Sequence, residues 1–439
     1  MVNILDIIDK KRYGGELNKE EIDYFISAYT KGELPDYQIS SLLMAICING
    51  MTFEETFNLT DAMLHSGDQI DLSSINGQVL DKHSTGGVGD STSLALAPIL
   101  AALGQKVAKM SGRGLGITGG TIDKLESIPG CRTDLSEKEF FDIVNKVGCS
   151  IIGQTKEVCP ADKKLYALRD VTGTVACFPL IASSIMCKKI ASGAKTILLD
   201  VKCGSGAFMK TVEDASTLAN IMVKIGTMFN RNVGALITDM SQPLSMYCGN
   251  SIEVIGAIEV LDGLDTRLAK EVKEVAKKLL VLAGVYKTEN EALLHVEEVI
   301  NNGQAKQKFM DMIASQGGDI SYLKDTSKFE IGKPYNVLAK EDGYVKKIST
   351  DDIGQAIVFL GGGRLKKTDI IDNSVGIKMN KSLGDKVNKG DVLLTIFHNG
   401  KGLNEAIELT SSAFEISSEK PEEEKIAFKY ITKDGEIVY

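Results

Sequence analysis

At 439 residues the chain is too long for a single hydrophobic core, so two or three lobes are expected. Composition is that of a globular protein, 43% hydrophobic and 25% charged with mean hydropathy near zero, and the net charge of −9 disfavours a nucleic-acid groove. Local basic residues within an acidic whole suit a small anionic ligand. No apolar run reaches membrane-spanning length, so no membrane partner is expected. The four histidines (His65, His83, His295, His398) lack metal-ligand spacing. The eight cysteines are scattered without a C-x-x-C pair and read as reduced thiols of a cytoplasmic protein; the N-terminus shows no signal-peptide cleavage site.

In chain order, residues up to Ser66 read as helices. Asn18 with Glu21 and Thr52 with Glu55 have capping-box spacing, and Pro35-Asp36 opens another helix. From Val79 the texture changes to short apolar runs separated by turns and helices. VLDKHS, QKVAKMS, CSIIGQT, KTILLDVK and VGALITDM are predicted strands, and Ser136 with Glu139 caps an intervening helix. This alternation implies a mainly parallel sheet. Asp162 to Ser192 interrupts it with helical patterns, as if the chain returned to the first lobe. The fold class is therefore α/β. A small discontinuous all-α lobe (1–66 and 162–192) faces a large α/β lobe with a mainly parallel central sheet (67–161 and 193–330). A C-terminal α+β region (331–439) follows, in which GYVKKIS, AIVFLGGGR and KGDVLLTIF read as strands and glycine turns.

Two glycine- and hydroxyl-rich turns lie between Asp81 and Glu126: DKHSTGGVGDSTS and KMSGRGLGITGGT. Glycine lets backbone N–H groups approach a ligand, and lysine and serine add a point charge and short donors, which together make an anion cradle. Lys82, Ser84, Ser93, Lys109, Ser111 and Thr121 gather at the expected carboxyl ends of neighbouring strands, where α/β sheets bind ligands. No G-K-[ST] follows the first turn, so it is not a P-loop. The second contains G-x-G-x-x-G (Gly114, Gly116, Gly119), a weak dinucleotide signal, but no ribose-binding acid ends the next strand. His83 sits in a polar turn with an unperturbed pKa near working pH. On the helical insert, Ser184 and Lys188 share one face, as do Tyr166 and Arg169. Such a set could hydrogen-bond the carbonyls of a planar heterocycle, although spacing alone also fits solvated surface residues. Asp162 reads as an N-cap. SVGIKMNKSLGDKVNKGDVLLTIF is faintly like a lipoyl-type domain, but Lys378 precedes an apparent half-barrel and reads as structural.

SGRGLGITGGTIDKLES (111–127), DKHSTGGVGD, LYALRDVTGTV, SIMCKK and LDVKCGSGAFMK closely resemble the pyrimidine-nucleoside phosphorylase and thymidine phosphorylase family over essentially the whole chain. The resemblance implies a homodimer and reversible phosphorolysis of a pyrimidine nucleoside, with inorganic phosphate as co-substrate and no organic cofactor. It implies phosphate binding at Lys82, Ser84, Ser93, Lys109, Ser111 and Thr121, and pyrimidine binding at Arg169, Ser184 and Lys188 with Tyr166 beside them. It also implies that His83 lies near the base as a proton donor or hydrogen-bond partner. Some members hold potassium; Gly89, Ser91, Leu244 and Tyr247 match those ligand positions, but Gly256 stands where they carry glutamate. Ile117 replaces the usual histidine of the second turn, and Cys203 replaces threonine or valine. KMSGRG favours broad pyrimidine specificity over the thymidine-specific alternative. Phosphoribosyl transfer, a dinucleotide-dependent oxidoreductase and a non-catalytic nucleotide-binding protein are the rivals.

Overall fold

Local capping chemistry sets up the first lobe. The computed structural model describes residues 2–114, 116, 119–154, 157–364, 366 and 368–439. It opens with α1 (Ile4–Arg12), α2 (Lys19–Lys31), α3 (Asp36–Asn49) and α4 (Phe53–Leu64). Asn18 with Glu21 and Thr52 with Glu55 form reciprocal capping boxes at α2 and α4, whereas α3 starts after Pro35 without a side-chain cap. A buried ion pair at 2.7 Å, Lys11–Glu55, ties α1 to α4.

The large lobe runs β1 (Leu80–Ser84), α5 (Thr92–Ala102), β2 (Val107–Ser111), α6 (Thr121–Glu126), α7 (Glu137–Val147) and β3 (Cys149–Gly153). The chain then leaves the sheet for α8 (Pro160–Arg169) and α9 (Phe178–Ala191), which pack on α2 to α4. It returns through β4 (Thr196–Cys203), α10 (Val212–Met228) and β5 (Asn232–Asp239). β1, β4 and β5 pair in parallel, β2 pairs with β3 in parallel, and a single bridge, Val79–Lys106, joins the two groups. Strand order is thus β3-β2-β1-β4-β5, and its direction reverses between β1 and β4. Both faces are covered, which is why β4 is buried throughout. Ile197, Leu199, Val201 and Ile237 share a core with α9 and the first lobe, and Leu198 and Leu236 belong to the core on the other face.

The remainder comprises β6 (Tyr247–Gly249), α11 (Ser251–Leu261), α12 (Arg267–Leu282), α13 (Glu289–Asn301), α14 (Gln304–Ser315), α15 (Ser321–Lys324), β7 (Lys333–Leu338), β8 (Gly343–Ile348), α16 (Thr350–Leu360), β9 (Gly376–Met379), β10 (Lys386–Val387), β11 (Val392–His398), α17 (Leu403–Ser412), β12 (Phe414–Ser417), β13 (Ala427–Thr432) and β14 (Gly435–Val438). AIVFL, expected as a strand, is helical. Ile353, Ala356, Ile357 and Leu360 make one buried face at helical spacing, and Gly361 ends α16 at φ +97°. Strands cross between the large lobe and the C-terminal region in both directions. β6 joins a sheet ordered β6-β9-β11-β7, while β13 pairs with β5 and extends the main sheet to β14. All eight cysteines are free, and among the described residues no helix is long and apolar enough to cross a membrane.

Candidate active site

A reversal of strand order opens a crevice at the strands' carboxyl ends. Here it lies between β1 and β4, and the first glycine turn leaves β1 at that point. Thr85 N donates to Asp200 O at 3.0 Å and Lys202 N donates to Thr85 Oγ1 at 2.9 Å, so the turn is fastened to β4. Lys82, Ser93 and Lys109 line one small cavity with Leu80, Ala97 and Val107. Lys109 Nζ donates to Lys82 O at 2.5 Å. Ser84 ends β1, with its Oγ accepting from Gly86 N at 3.1 Å; Ser111 ends β2 and Thr121 opens α6. Lys124, on α6, donates to Asp90 O at 2.7 Å and ties the second turn to the first.

Buried carboxylates balance these lysines. Asp81 pairs with Lys189 at 2.7 Å and lies 3.5 Å from Lys109. Burial opposes its charge, but Lys189 and Lys109 hold its carboxyl at about 2. Burial lowers Lys109 to about 8; the nearby Lys189 and Lys82 ammoniums add to that effect, and Asp81 opposes it. His83 is pushed well below the usual histidine value by burial and by Lys189 and Lys109, so the ring is neutral near pH 7. Lys82 pairs with Asp200 at 2.7 Å; Lys202 lies 2.9 Å from Asp200 and also pairs with Glu271. Oxygens of Asp90, Asp200 and Glu271 lie within 4.8 Å of one another, close enough to hold a metal ion. The ammoniums of Lys82 and Lys202 already supply the positive charge there, so the donor set does not fit a divalent cation.

The residues matching a potassium site also meet. Leu244 N donates to Val88 O at 3.1 Å, and a Cβ added at Gly89 would lie 3.3 Å from Tyr247 O. The anionic ligand is missing, however. A Cβ at Gly256 would lie 2.7 Å from Ser245 Oγ and 3.2 Å from the Tyr247 ring. Of the nearby acids, Glu253 is held by Lys124 at 2.6 Å and by Ser91 Oγ at 2.9 Å, and Glu259 accepts from Tyr247 Oη at 2.8 Å. Lys378, on β9, places its ammonium 5.5 Å from the Tyr247 ring centre. Neutral backbone and hydroxyl oxygens are thus what this group offers a potassium ion, with the nearby carboxylates of Glu253 and Glu259 already engaged.

The helical side gathers Tyr166, Arg169, Ser184 and Lys188. Lys188 Nζ donates to Ser184 Oγ at 3.0 Å and to Asp162 Oδ2 at 2.6 Å, and lies 5.6 Å from the Tyr166 ring centre. Burial works against the Lys188 charge, but Asp162 raises its pKa above the usual lysine value. Asp162 is therefore not the N-cap of α8, a position held by Cys159 at φ +47°; it is a first-turn residue aimed at Lys188. Arg169 is buried and spends its guanidinium on backbone, donating to Thr174 O at 3.1 Å, Leu180 O at 3.1 Å and Val175 O at 2.8 Å. Ile117 of the second turn lies outside the described residues.

Residues 76–306 match the model of the glycosyl transferase family a/b domain, 5–67 that of its helical bundle domain, and 344–417 the pyrimidine nucleoside phosphorylase C-terminal domain. The pyrimidine-nucleoside phosphorylase of Staphylococcus haemolyticus (strain JCSC1435) is 51% identical over 424 residues, covering 95% of this chain and 97% of that protein. That of Bacillus subtilis (strain 168) is 51% identical over 420 residues, with coverage of 95% and 97%. The chain belongs to the pyrimidine-nucleoside phosphorylase family. As a member of that family it is an enzyme of the pentosyltransferase type. The fold is shared more widely. The crystal structure of anthranilate phosphoribosyltransferase from Thermus thermophilus superposes with a TM-score of 0.57 at 19% identity, covering 71% of this chain and 99% of that one.

Several charged residues of this candidate site escape sequence reasoning. Asp81 and Lys189 stand beside residues singled out in the sequence, so adjacency was an available signal. Asp200 and Lys202 end a predicted strand at the crevice. Glu253 and Glu271 lie on α11 and α12 without any motif around them.

Proposed function

We propose that this enzyme catalyses reversible phosphorolysis of pyrimidine nucleosides, taking uridine, thymidine and deoxyuridine to the free base and (deoxy)ribose 1-phosphate. The relatives are named pyrimidine-nucleoside phosphorylases, which supports phosphorolysis of this substrate class. The observation that carries the split-site reading is the 2.7 Å ion pair between Asp81 and Lys189. Asp81 precedes Lys82 on the phosphate side, and Lys189 follows Lys188 on the pyrimidine side, so one contact sets the two half-sites against each other.

In this reading Lys82, Ser84, Ser93, Lys109, Ser111 and Thr121 bind phosphate, and Tyr166, Arg169, Ser184 and Lys188 bind the base. Phosphate is itself the nucleophile, and the protein aligns it with C1′ of the pentose. As the glycosidic bond breaks, the sugar gains oxocarbenium character and the pyrimidine gains negative charge. Lys188, kept protonated by Asp162, stabilises that charge directly, and Ser184 adds a neutral donor. Arg169 orders the loop at 174–175 through its backbone hydrogen bonds and brings a second positive charge to this side. His83 acts as a neutral hydrogen-bond partner rather than as an imidazolium acid, given its lowered pKa.

The exposed faces of α1 and α3 support a homodimer. Leu5 and Tyr13 at α1, and Tyr37, Met44 and Ile48 on α3, present large apolar side chains to solvent in the single chain. Phosphoribosyl transfer, the activity of the protein with the shared fold, is disfavoured because lysines neutralise the one carboxylate cluster found among the described residues. The deciding assay is release of uracil from uridine and thymine from thymidine with and without phosphate. Both bases are expected, only with phosphate. Thymine alone would favour the thymidine-specific reading, and neither base would overturn phosphorolysis.

A further inference from the structure

The turn after α16 contains three glycines and an arginine, GGGR, and belongs to neither half-site. It lies in the C-terminal region, which matches a family model separate from the one, over residues 76–306, that covers both half-sites. Yet it reaches back to the second glycine turn. Arg364 Nη1 donates to Asp123 Oδ2 at 2.9 Å and Nη2 to Asp123 Oδ1 at 2.8 Å, a two-pronged pair between residues far apart in sequence. The backbones meet as well: Gly116 N donates to Arg364 O at 3.2 Å. Gly362 O accepts from Asn250 Nδ2 at 2.9 Å, and a Cβ at Gly363 would lie 3.2 Å from Gly116 O, so the turn approaches closely because it lacks side chains.

Asp123 is the point where this contact bears on the site. Its Oδ2 also accepts from Gly114 N at 2.7 Å, at the start of the second turn. It lies on α6, between Thr121, assigned to phosphate, and Lys124, which holds the first turn through Asp90 O. Asp123 is 2% exposed, so its charge depends on its partners. Arg113 also contacts it, at 3.2 Å, but is 52% exposed and shared with Glu126. Arg364 is the more buried partner, at 14% exposure.

We propose that Arg364 is a positioning residue for the phosphate subsite: through Asp123 it fixes the second glycine turn from the C-terminal region. The inference rests on the assignment of Lys109, Ser111 and Thr121 to phosphate. The pyrimidine side stands on α8 and α9 and has no contact with Arg364 among the described residues.

The test measures KM for phosphate and for uridine in the full-length enzyme. Arg364→Ala raises the phosphate KM on the order of tenfold, because a small displacement of binding groups is costly, and leaves the uridine KM within about twofold. Arg364→Lys recovers only part of the loss, since an ammonium cannot form the fork. In an Asp123→Asn background, Arg364→Ala adds less than about twofold, because both changes break one interaction. An unchanged phosphate KM in folded Arg364→Ala, or fully additive effects with Asp123→Asn, would overturn the proposal. If Arg364→Ala does not fold, Arg364→Lys carries the test, and equal rises in both KM values overturn it. Lys109→Ala and Ser111→Ala are the controls: if neither raises the phosphate KM, the phosphate assignment itself has failed, whatever Arg364→Ala does.

Discussion

On the proposed phosphate side, Lys109 is a cation whose charge burial weakens. Burial lowers it to about 8 from an ordinary value of 10.5, against the pull of Asp81. Below pH 8 it is an ammonium, and above that it becomes a neutral amine that no longer attracts phosphate. The value of kcat/KM for phosphate, which reports the free enzyme, is therefore expected to fall above about pH 8. Lys109→Arg should move that break to higher pH, as a pH series for both enzymes would show. On the proposed pyrimidine side the vulnerable group is Asp162. It is 2.6 Å from Lys188 and 4% exposed, and an amide of the same shape would remove its charge. Asp162→Asn is expected to lower kcat/KM for uridine by about tenfold while the phosphate KM holds. Steady-state kinetics with each substrate varied separates the two.

Among the elements, α9 does the most to assemble the site. One face carries Ser184 and Lys188, four residues apart, and the next residue, Lys189, turns to Asp81 on β1. Lys189 and Asp81 are 5% and 2% exposed, so Lys189→Met leaves a buried carboxylate with only the more distant Lys109. That change is expected to cost about 3 kcal/mol of stability, read from denaturant unfolding, and to impair both half-sites together. Elements of this kind show which parts of the molecule were legible in its sequence. Asn18–Glu21, Thr52–Glu55 and Ser136–Glu139 form the expected capping boxes, because a cap is settled within four residues. The five strands of the large lobe were legible as apolar runs because both faces of the sheet are covered. AIVFL was not, since a short apolar run fits a buried strand or a helix equally until its packing partners are known. Nor were the partners of the lysines. Glu253, Glu271 and Asp162 reach Lys124, Lys202 and Lys188 across the fold, and sequence spacing carries no trace of such pairs.

At the scale of the whole molecule, the two-way exchange of strands makes the C-terminal region part of the large lobe's architecture. β13 covers the edge of β5, pairing Ala427 with Thr238 and Thr432 with Gly234. Deleting residues 427–439 would bare that edge. The truncated chain is expected to self-associate, as light scattering during refolding would reveal. The same exchange has a consequence for biosynthesis. β5 emerges from the ribosome long before β13, while everything from Met240 to Ile426 is still being made. Throughout that interval the growing chain carries an open sheet edge, and β6 likewise waits for β9. The exposure of β5 to mispairing with a neighbouring nascent chain is therefore set by the pace of translation, and it ends only when β13 has emerged to cover the edge.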